Sequence, residues 1–261
     1  MSQFDWITAS DEDVDFQYSP SRFALQPLDQ YLSDYEQLSA PFRRAALTSV
    51  GAPLLIYIHG GYWQRLSAND SLFNAADAQQ LGVSLHAVEY TLAPHATVEQ
   101  IINECVSDVL RVIKELAPSR VVIAGCSAGA HLTAMCVRNP DVREKTNGIA
   151  LLSGIYDVRP IVRTPTNDPL HLTIDSARTV SPQLLPVVAP VGDALLAVGQ
   201  HESDEFIRQN KEFGKLLKSV GANVEIEVVP HRDHFNLPYD LLRSGTTVGD
   251  WVIGILKGNN R

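Results

Sequence analysis

From residue 53 onward, short runs of apolar residues alternate with longer stretches in which apolar residues recur every three or four positions. The short runs are typical of strands buried on both faces of a parallel sheet, and the longer stretches of amphipathic helices. The pattern predicts strands over residues 54–58, 83–90, 121–124, 149–152, 194–198 and 224–229. It predicts helices near residues 69–80, over 97–116 and 128–137, through Phe206 to Val220, and around Trp251 to Leu256. This alternation indicates an α/β fold, with a mostly parallel sheet covered by helices on both faces.

Two parts of the chain depart from this alternation. Residues 1–50 are irregular apart from one predicted helix, which is indicated by four residues at helical spacing: Tyr31, Leu32, Tyr35 and Leu38. Residues 155–190 are rich in proline, and we expect them to shape the entrance to a pocket. Because neither a repeat nor a linker rich in Gly, Ser or Pro divides the chain, residues 1–261 are expected to form one domain, with the N-terminal segment laid against it.

The charge balance restricts the partners of the chain. Among 261 residues, 30 Asp and Glu against 21 Lys and Arg give a formal net charge of -9. An acidic chain without a run of Lys or Arg argues against nucleic acid or an anionic membrane as partner. The N-terminal residues lack the basic start and the apolar run of a signal peptide, so a cytoplasmic location is expected. The expected partner is a small-molecule substrate, and the sequence leaves open whether the chain forms a homodimer.

The three cysteines, Cys105, Cys126 and Cys136, are odd in number and none belongs to a C-x-x-C pair. A disulfide framework or a zinc ribbon is therefore not expected, and buried free thiols are. The pair His231 and His234 is not accompanied by an H-E-x-x-H motif or by a second cluster with ligand spacing. We therefore expect no metal and no cofactor.

The strongest chemical signal is Gly125-Cys126-Ser127-Ala128-Gly129, which matches G-x-S-x-G and lies between a predicted strand and a predicted helix. In this context the motif is typical of a nucleophile elbow, a tight turn that holds a serine at its tip. Glycines on both sides remove side chains that would clash, and the helix N-terminus favours a developing anion. We predict that Ser127 is the nucleophile and that Cys126 is a packing residue.

The segment His59-Gly60-Gly61-Tyr62-Trp63 follows the first predicted strand of this alternation. Acyl transfer develops negative charge on a carbonyl oxygen, and backbone N–H groups that point at this oxygen stabilise it. Glycines let the backbone come close, so we assign the donors to Gly60, Gly61 and Ala128. His59 itself is expected to be structural.

A serine hydrolase also needs a base and an acid, which follow the serine along the chain in this kind of fold. His231 and His234 both follow the last predicted strand, where the base is expected, whereas His131, His171 and His201 are poorly placed.

The acid is expected after the strand over residues 194–198, where Glu202, Asp204 and Glu205 lie. Asp204 and Glu205 would fall in the first turn of a helix capped by Ser203, where the helix dipole accounts for carboxylates without any catalytic role. Glu202 has no such explanation, so it is the preferred acid over Asp204.

Together these segments resemble the kynurenine formamidases (arylformamidases) of the α/β-hydrolase fold. The resemblance rests on HGGYW at residues 59–63, GCSAGAHL at 125–132, LSGIYD at 152–157, GQHESDEF at 199–206 and DHF at 233–235, with YSPS at 18–21. It assigns the base to His234 and the acid to Glu202, although animal members of the family commonly carry Asp at that position.

The reaction that the resemblance implies is hydrolysis of N-formyl-L-kynurenine to kynurenine and formate. Tyr62, Trp63 and Tyr156 would wall an aromatic pocket, although core packing is an equal interpretation for each. The segment Glu89 to Pro94 also resembles the hormone-sensitive-lipase group of esterases, so a carboxylesterase acting on small acyl or aryl esters is the alternative. A binding protein that has kept a hydrolase fold is a third reading, which the complete set of triad candidates disfavours.

Overall fold

All the strands in the described part of the chain belong to one sheet. The structure is a computed structural model that describes residues 4–190 and 192–258. Its strands are β1 (Leu54–Ile58), β2 (Ser84–Val88), β3 (Val121–Cys126), β4 (Gly148–Leu152), β5 (Asp193–His201) and β6 (Val224–Asp233). They are parallel throughout and lie in the order β2-β1-β3-β4-β5-β6. Each predicted strand is confirmed, and β5 and β6 continue beyond the predicted ends.

The α-helices of the described residues connect and flank these strands. They are α1 (Asp11–Gln17), α2 (Leu28–Ser39), α3 (Ala75–Leu81), α4 (Val98–Leu116), α5 (Ala128–Cys136), α6 (Pro140–Lys145), α7 (Ile174–Thr179), α8 (Asp204–Ser219) and α9 (Thr247–Lys257). The prediction of one helix near residues 69–80 is wrong in its first half. A 3-10 turn occupies residues 68–70, and the hydroxyl of Ser39 accepts a hydrogen bond from the amide of Leu72. That amide is therefore not part of a helix, and α3 begins only at Ala75.

The core lies on both faces of the sheet. Successive residues of β1 contact opposite sides: Leu54, Ile56 and Ile58 pack in one apolar cluster, and Leu55 and Tyr57 in the other. Buried residues of α4 and α8 join the first cluster, and those of α3 and α9 join the second. This arrangement explains why the strands lack polar alternation, because both sides of each central strand are covered.

The N-terminal segment packs against the carboxyl end of the sheet. The predicted helix around Tyr31 is confirmed as α2, but its buried residues are Tyr31, Tyr35 and Ser39, whereas Leu32 and Leu38 are 40% and 46% exposed. The short helix α1 was not expected from the sequence. Ser10 caps it by accepting a hydrogen bond from the amide of Asp13.

Residues 155–190 contain two 3-10 turns and α7. Within the described residues, no helix combines the length and the apolar character that crossing a bilayer would require.

Candidate active site

Ser127 lies at the turn between β3 and α5 in a backbone conformation that side chains rarely adopt, with φ 58° and ψ -122°. The flanking glycines permit this turn. A Cβ on Gly125 would lie 2.2 Å from the carbonyl oxygen of Gly129, and a Cβ on Gly129 would lie 1.9 Å from that of Ile58. The start of α5 therefore approaches the carboxyl end of β1 directly. A strained serine held in this way is the geometry of a nucleophile elbow.

The neighbouring thiol of Cys126 is in a different environment. Cys126 is 5% exposed, and its Sγ lies 3.6 Å from the carbonyl oxygen of His234. Burial raises the pKa of this thiol well above its ordinary value, which keeps it protonated. A protonated thiol is a poor nucleophile, which leaves Ser127 as the candidate nucleophile of this turn.

His234 and Glu202 form a buried pair. Nδ1 of His234 donates to Oε2 of Glu202 at 2.8 Å, and the two residues are 6% and 7% exposed. This bond places the ring proton on Nδ1 and leaves Nε2 free to accept a proton. His234 and Ser127 line the same cavity.

The second carboxylate oxygen of Glu202 is also held. Oε1 accepts hydrogen bonds from the hydroxyl of Ser153 and from the amide of Gly199, the latter at 2.9 Å. Ser153 follows β4 and is fully buried with φ 49°. A single serine after a strand carries no local signal of this role, so Ser153 was not among the residues expected at the site. The three contacts fix the plane of the carboxylate and thereby the orientation of the imidazole.

The other acid and base candidates lie elsewhere. Asp204 is exposed at the first position of α8, as the helix-dipole argument predicts. The buried carboxylate of Glu205 accepts hydrogen bonds from Tyr18 and Arg208. Three of the histidines that follow Ser127 in the chain are exposed: His171, His201 and His231.

His59 and His131 are buried and neutral. Burial lowers the pKa of each to about 4. Nδ1 of His131 accepts a hydrogen bond from Trp63 at 3.2 Å, and its Nε2 donates to the carbonyl of Val180 at 2.6 Å. The ring of His59 stacks on that of Tyr90 at 4.1 Å, and its Nδ1 donates to the carbonyl of Gly60 at 2.9 Å. Both side chains thus fix the loop that follows β1.

That loop brings its glycines against the elbow. A Cβ on Gly60 would lie 2.8 Å from the carbonyl oxygen of Cys126 and 3.2 Å from Cβ of Ser127. Gly61 has φ 95° and closes a turn by accepting a hydrogen bond from the amide of Gln64 at 3.0 Å. The backbone of Gly60 therefore lies directly beside the serine.

A cavity of about 670 Å³ opens at these residues. Ser127, His234, Gly60, Gly61 and Tyr62 line it, with an aromatic wall that includes Tyr35, Tyr57, Phe73 and Phe235. The size is typical of a pocket for a small molecule. The N-terminal segment contributes residues 18–21 and part of α2, whereas residues 155–190 contribute only Pro165 and Thr166.

Two of the three aromatic residues predicted to wall the pocket lie outside its lining. Trp63 is fully buried because its indole N–H is paired with His131. Tyr156 is fully buried because its ring stacks on Phe213 at 4.3 Å. Both are core residues, which corrects the expectation from the sequence, while Tyr62 does line the cavity.

Across residues 4–190 and 192–258, the His, Cys, Asp and Glu side chains form no group of three that could hold a metal ion.

Comparison with known proteins places this chain in a family. A family model described as the α/β-hydrolase fold matches residues 55–237. Kynurenine formamidase of Danio rerio is 34% identical over 89% of this chain and 92% of its own, and that of Salmo salar is 39% identical over 73% and 68%. The crystal structure of a provisionally assigned thioesterase of Silicibacter sp. TM1040 superposes with a TM-score of 0.80 at 20% identity, covering 94% of this chain and 99% of its own. The chain therefore belongs to the kynurenine formamidase family of α/β hydrolases.

Proposed function

We propose that this protein hydrolyses an aryl formamide, N-formyl-L-kynurenine, to kynurenine and formate, with Ser127, His234 and Glu202 as catalytic residues. The observation that carries the proposal is the buried His234–Glu202 pair, whose histidine lines the same cavity as a serine in an elbow conformation. The curated relatives that match most of the chain are named for this activity.

The first half of the reaction transfers the formyl group to the enzyme. Nε2 of His234 takes the hydroxyl proton of Ser127 as Oγ attacks the formyl carbon. The resulting oxyanion is stabilised by the N–H groups of Gly60, Gly61 and Ala128. His234 then gives its proton to the aryl nitrogen, the C–N bond breaks, and kynurenine leaves with a free amine.

The second half releases formate. Water attacks the formyl ester on Ser127 while Nε2 of His234 takes one of its protons. The C–O bond to Ser127 then breaks, and the proton returns from His234 to Oγ. Throughout, Glu202 keeps the other ring proton on Nδ1 and stabilises the imidazolium that forms in each half.

The cavity suits such a substrate. An aryl formamide needs a flat apolar space beside the nucleophile, and the wall of Tyr35, Tyr57 and Phe73 provides aromatic surface. These rings pack against one another, with Tyr35 and Phe73 stacked at 5.0 Å and Tyr57 edge-on to Phe73 at 5.6 Å. A wall whose rings support each other keeps its shape when a substrate enters.

The decisive experiment compares two substrates. Purified protein and Ser127→Ala are assayed with N-formyl-L-kynurenine and with p-nitrophenyl acetate, and kcat/KM is measured for each. A large preference for the formamide, lost in Ser127→Ala, is the expected result. A preference for the ester would instead support a carboxylesterase that uses the same machinery. Turnover that survives in Ser127→Ala would overturn the assignment of the nucleophile.

The cellular location and the oligomeric state of the protein can be tested as well. We propose a cytoplasmic location, and fractionation of cells that express the protein tests it. The homodimer that the sequence leaves open is tested by light scattering on the purified protein.

A further inference from the structure

Asp233, the residue before His234, is a fully buried carboxylate that accepts four hydrogen bonds. Oδ1 accepts from the amides of Phe235 and Asn236, both at 2.9 Å. Oδ2 accepts from the hydroxyl of Tyr31 at 2.6 Å and from the amide of Leu25 at 2.7 Å. One oxygen therefore fixes the loop after His234, and the other binds the N-terminal segment.

Two more contacts join the same parts of the chain. The hydroxyl of Tyr35 donates to the carbonyl of Phe235 at 2.6 Å, and the ring of Tyr31 stacks on that of Phe235 at 5.3 Å. Phe235 in turn meets the ring of His234 edge-on at 5.3 Å. Helix α2 thus touches the loop of the proposed base through hydroxyl, ring and carboxylate contacts.

These contacts matter for the cavity as well as for the loop. Tyr35 and Phe235 both line the cavity, and so do Leu28 and Leu32 of α2. Moving α2 would therefore open one wall of the cavity and release the loop of His234 at the same time. Among the described residues, no cation lies within ion-pair distance of this buried carboxylate, so it depends on these donors, and each lost donor leaves a buried acceptor unsatisfied.

We propose that Asp233 and Tyr31 are positioning residues, which hold His234 in reach of Ser127 by locking the N-terminal segment onto the loop of the base. The inference rests on the proposed roles of Ser127 and His234. It gives the N-terminal segment a role in turnover, although that segment contributes none of the three proposed catalytic residues. A small displacement of a base can cost about 100-fold in rate, so the lock acts on kcat more than on substrate binding.

The test is a double-mutant cycle of Tyr31→Phe and Asp233→Asn, with Tyr156→Phe as the matched control. Tyr156 is also fully buried, but within the described residues its hydroxyl has no hydrogen-bond partner. Turnover of p-nitrophenyl acetate is measured per active site, with the sites counted by stoichiometric labelling with a fluorophosphonate. Counting the labelled sites excludes misfolded protein from the enzyme concentration that is used to calculate kcat.

We expect Tyr31→Phe to lower kcat about tenfold with KM changed less than about twofold, the scale of one lost hydrogen bond to a charged group. Tyr156→Phe should stay within about twofold of the wild type. Asp233→Asn should cost about 100-fold, and adding Tyr31→Phe to it should cost little more, because both changes break the same contact.

Equal kcat values for Tyr31→Phe and Tyr156→Phe would overturn the inference, and so would strictly multiplicative effects in the double variant. Ser127→Ala is labelled in parallel. If it reacts with the fluorophosphonate as the wild type does, the proposed nucleophile is wrong. If the wild type reacts and Ser127→Ala does not, while Tyr31→Phe has the same kcat as the control, the positioning role alone fails.

Discussion

The carboxylate of Glu202 meets Nδ1 of His234 at 2.8 Å, with its other oxygen held by Ser153 and Gly199. This carboxylate therefore does more than balance a charge. Its two oxygens are both committed, so that the imidazole has one favourable tautomer and one orientation. The role of each contact can be tested separately.

The first prediction concerns which acid serves His234. Glu202→Gln should lower kcat by about four orders of magnitude, because an amide can present its NH₂ group to Nδ1 and favour the wrong tautomer. Asp204→Asn is the matched control, since Asp204 is exposed at the start of α8. It should leave kcat/KM within about twofold and cost at most about 1 kcal/mol of stability through the helix dipole. Steady-state kinetics on both variants decide the matter, and a larger loss in Asp204→Asn would reverse the assignment.

The second prediction concerns Ser153. Ser153→Ala removes the hydroxyl that donates to Oε1 of Glu202 and leaves the amide of Gly199 as the remaining donor to that oxygen. A hydrogen bond to a charged group is worth about 1.5–3 kcal/mol, so kcat should fall at least about tenfold if the bond serves mainly to orient the carboxylate. Ser203→Ala is the comparison, because it removes a buried hydroxyl that caps α8 instead. It should lower the melting temperature with little change in kcat, and equal kinetic losses would contradict the prediction.

The strands and most helices could be predicted from the sequence because burial on both faces of the sheet leaves a purely local mark, as in Leu54 to Ile58. The tight turn at Ser127 was predictable for the same reason, since its glycines record a close backbone approach. The environment of Glu202 was not, because Ser153 lies 49 positions away in the chain.

Helix α2 shows the same limit of prediction from the sequence. Its four residues at helical spacing predicted the helix correctly but not its buried face. Tyr31 and Tyr35 are buried because their hydroxyls bind Asp233 and the carbonyl of Phe235, partners about 200 residues away. A tyrosine hydroxyl carries no sign of a partner so distant in sequence, so only the fold reveals it.

The third prediction tests the loop after β1. In Gly60→Ala the new Cβ would lie 2.8 Å from the carbonyl oxygen of Cys126 and 3.2 Å from Cβ of Ser127, so the loop must move away from the nucleophile. Loss of aligned oxyanion donors typically lowers kcat by about 100- to 1000-fold. Gly221→Ala controls for a glycine replacement as such. A Cβ at this position would meet no atom within 4 Å, but the residue has φ +86°. The substitution should therefore cost about 1–2 kcal/mol of stability and leave kcat/KM unchanged. An active Gly60→Ala enzyme would rule out this site for the oxyanion.

The last prediction follows from the two buried neutral histidines. The pKa values of His59 and His131 are lowered to about 4 from an ordinary 6.5, because burial disfavours the charged ring. Between pH 6.5 and 4 the unfolded chain binds a proton at each ring and the folded chain does not. Their contribution to stability is therefore complete above pH 6.5 and is lost as the pH falls toward 4, at up to about 1.4 kcal/mol per pH unit for each ring.

His131→Gln removes one of the two rings, so its free energy of unfolding should depend less steeply on pH than that of the wild type. Denaturant unfolding at a series of pH values across this range measures both slopes. His201→Gln, at an exposed position, should keep the wild-type slope. If His131→Gln and the wild type lose stability in parallel, the ring of His131 already carries a proton in the folded protein, and its neutral role between Trp63 and Val180 is wrong.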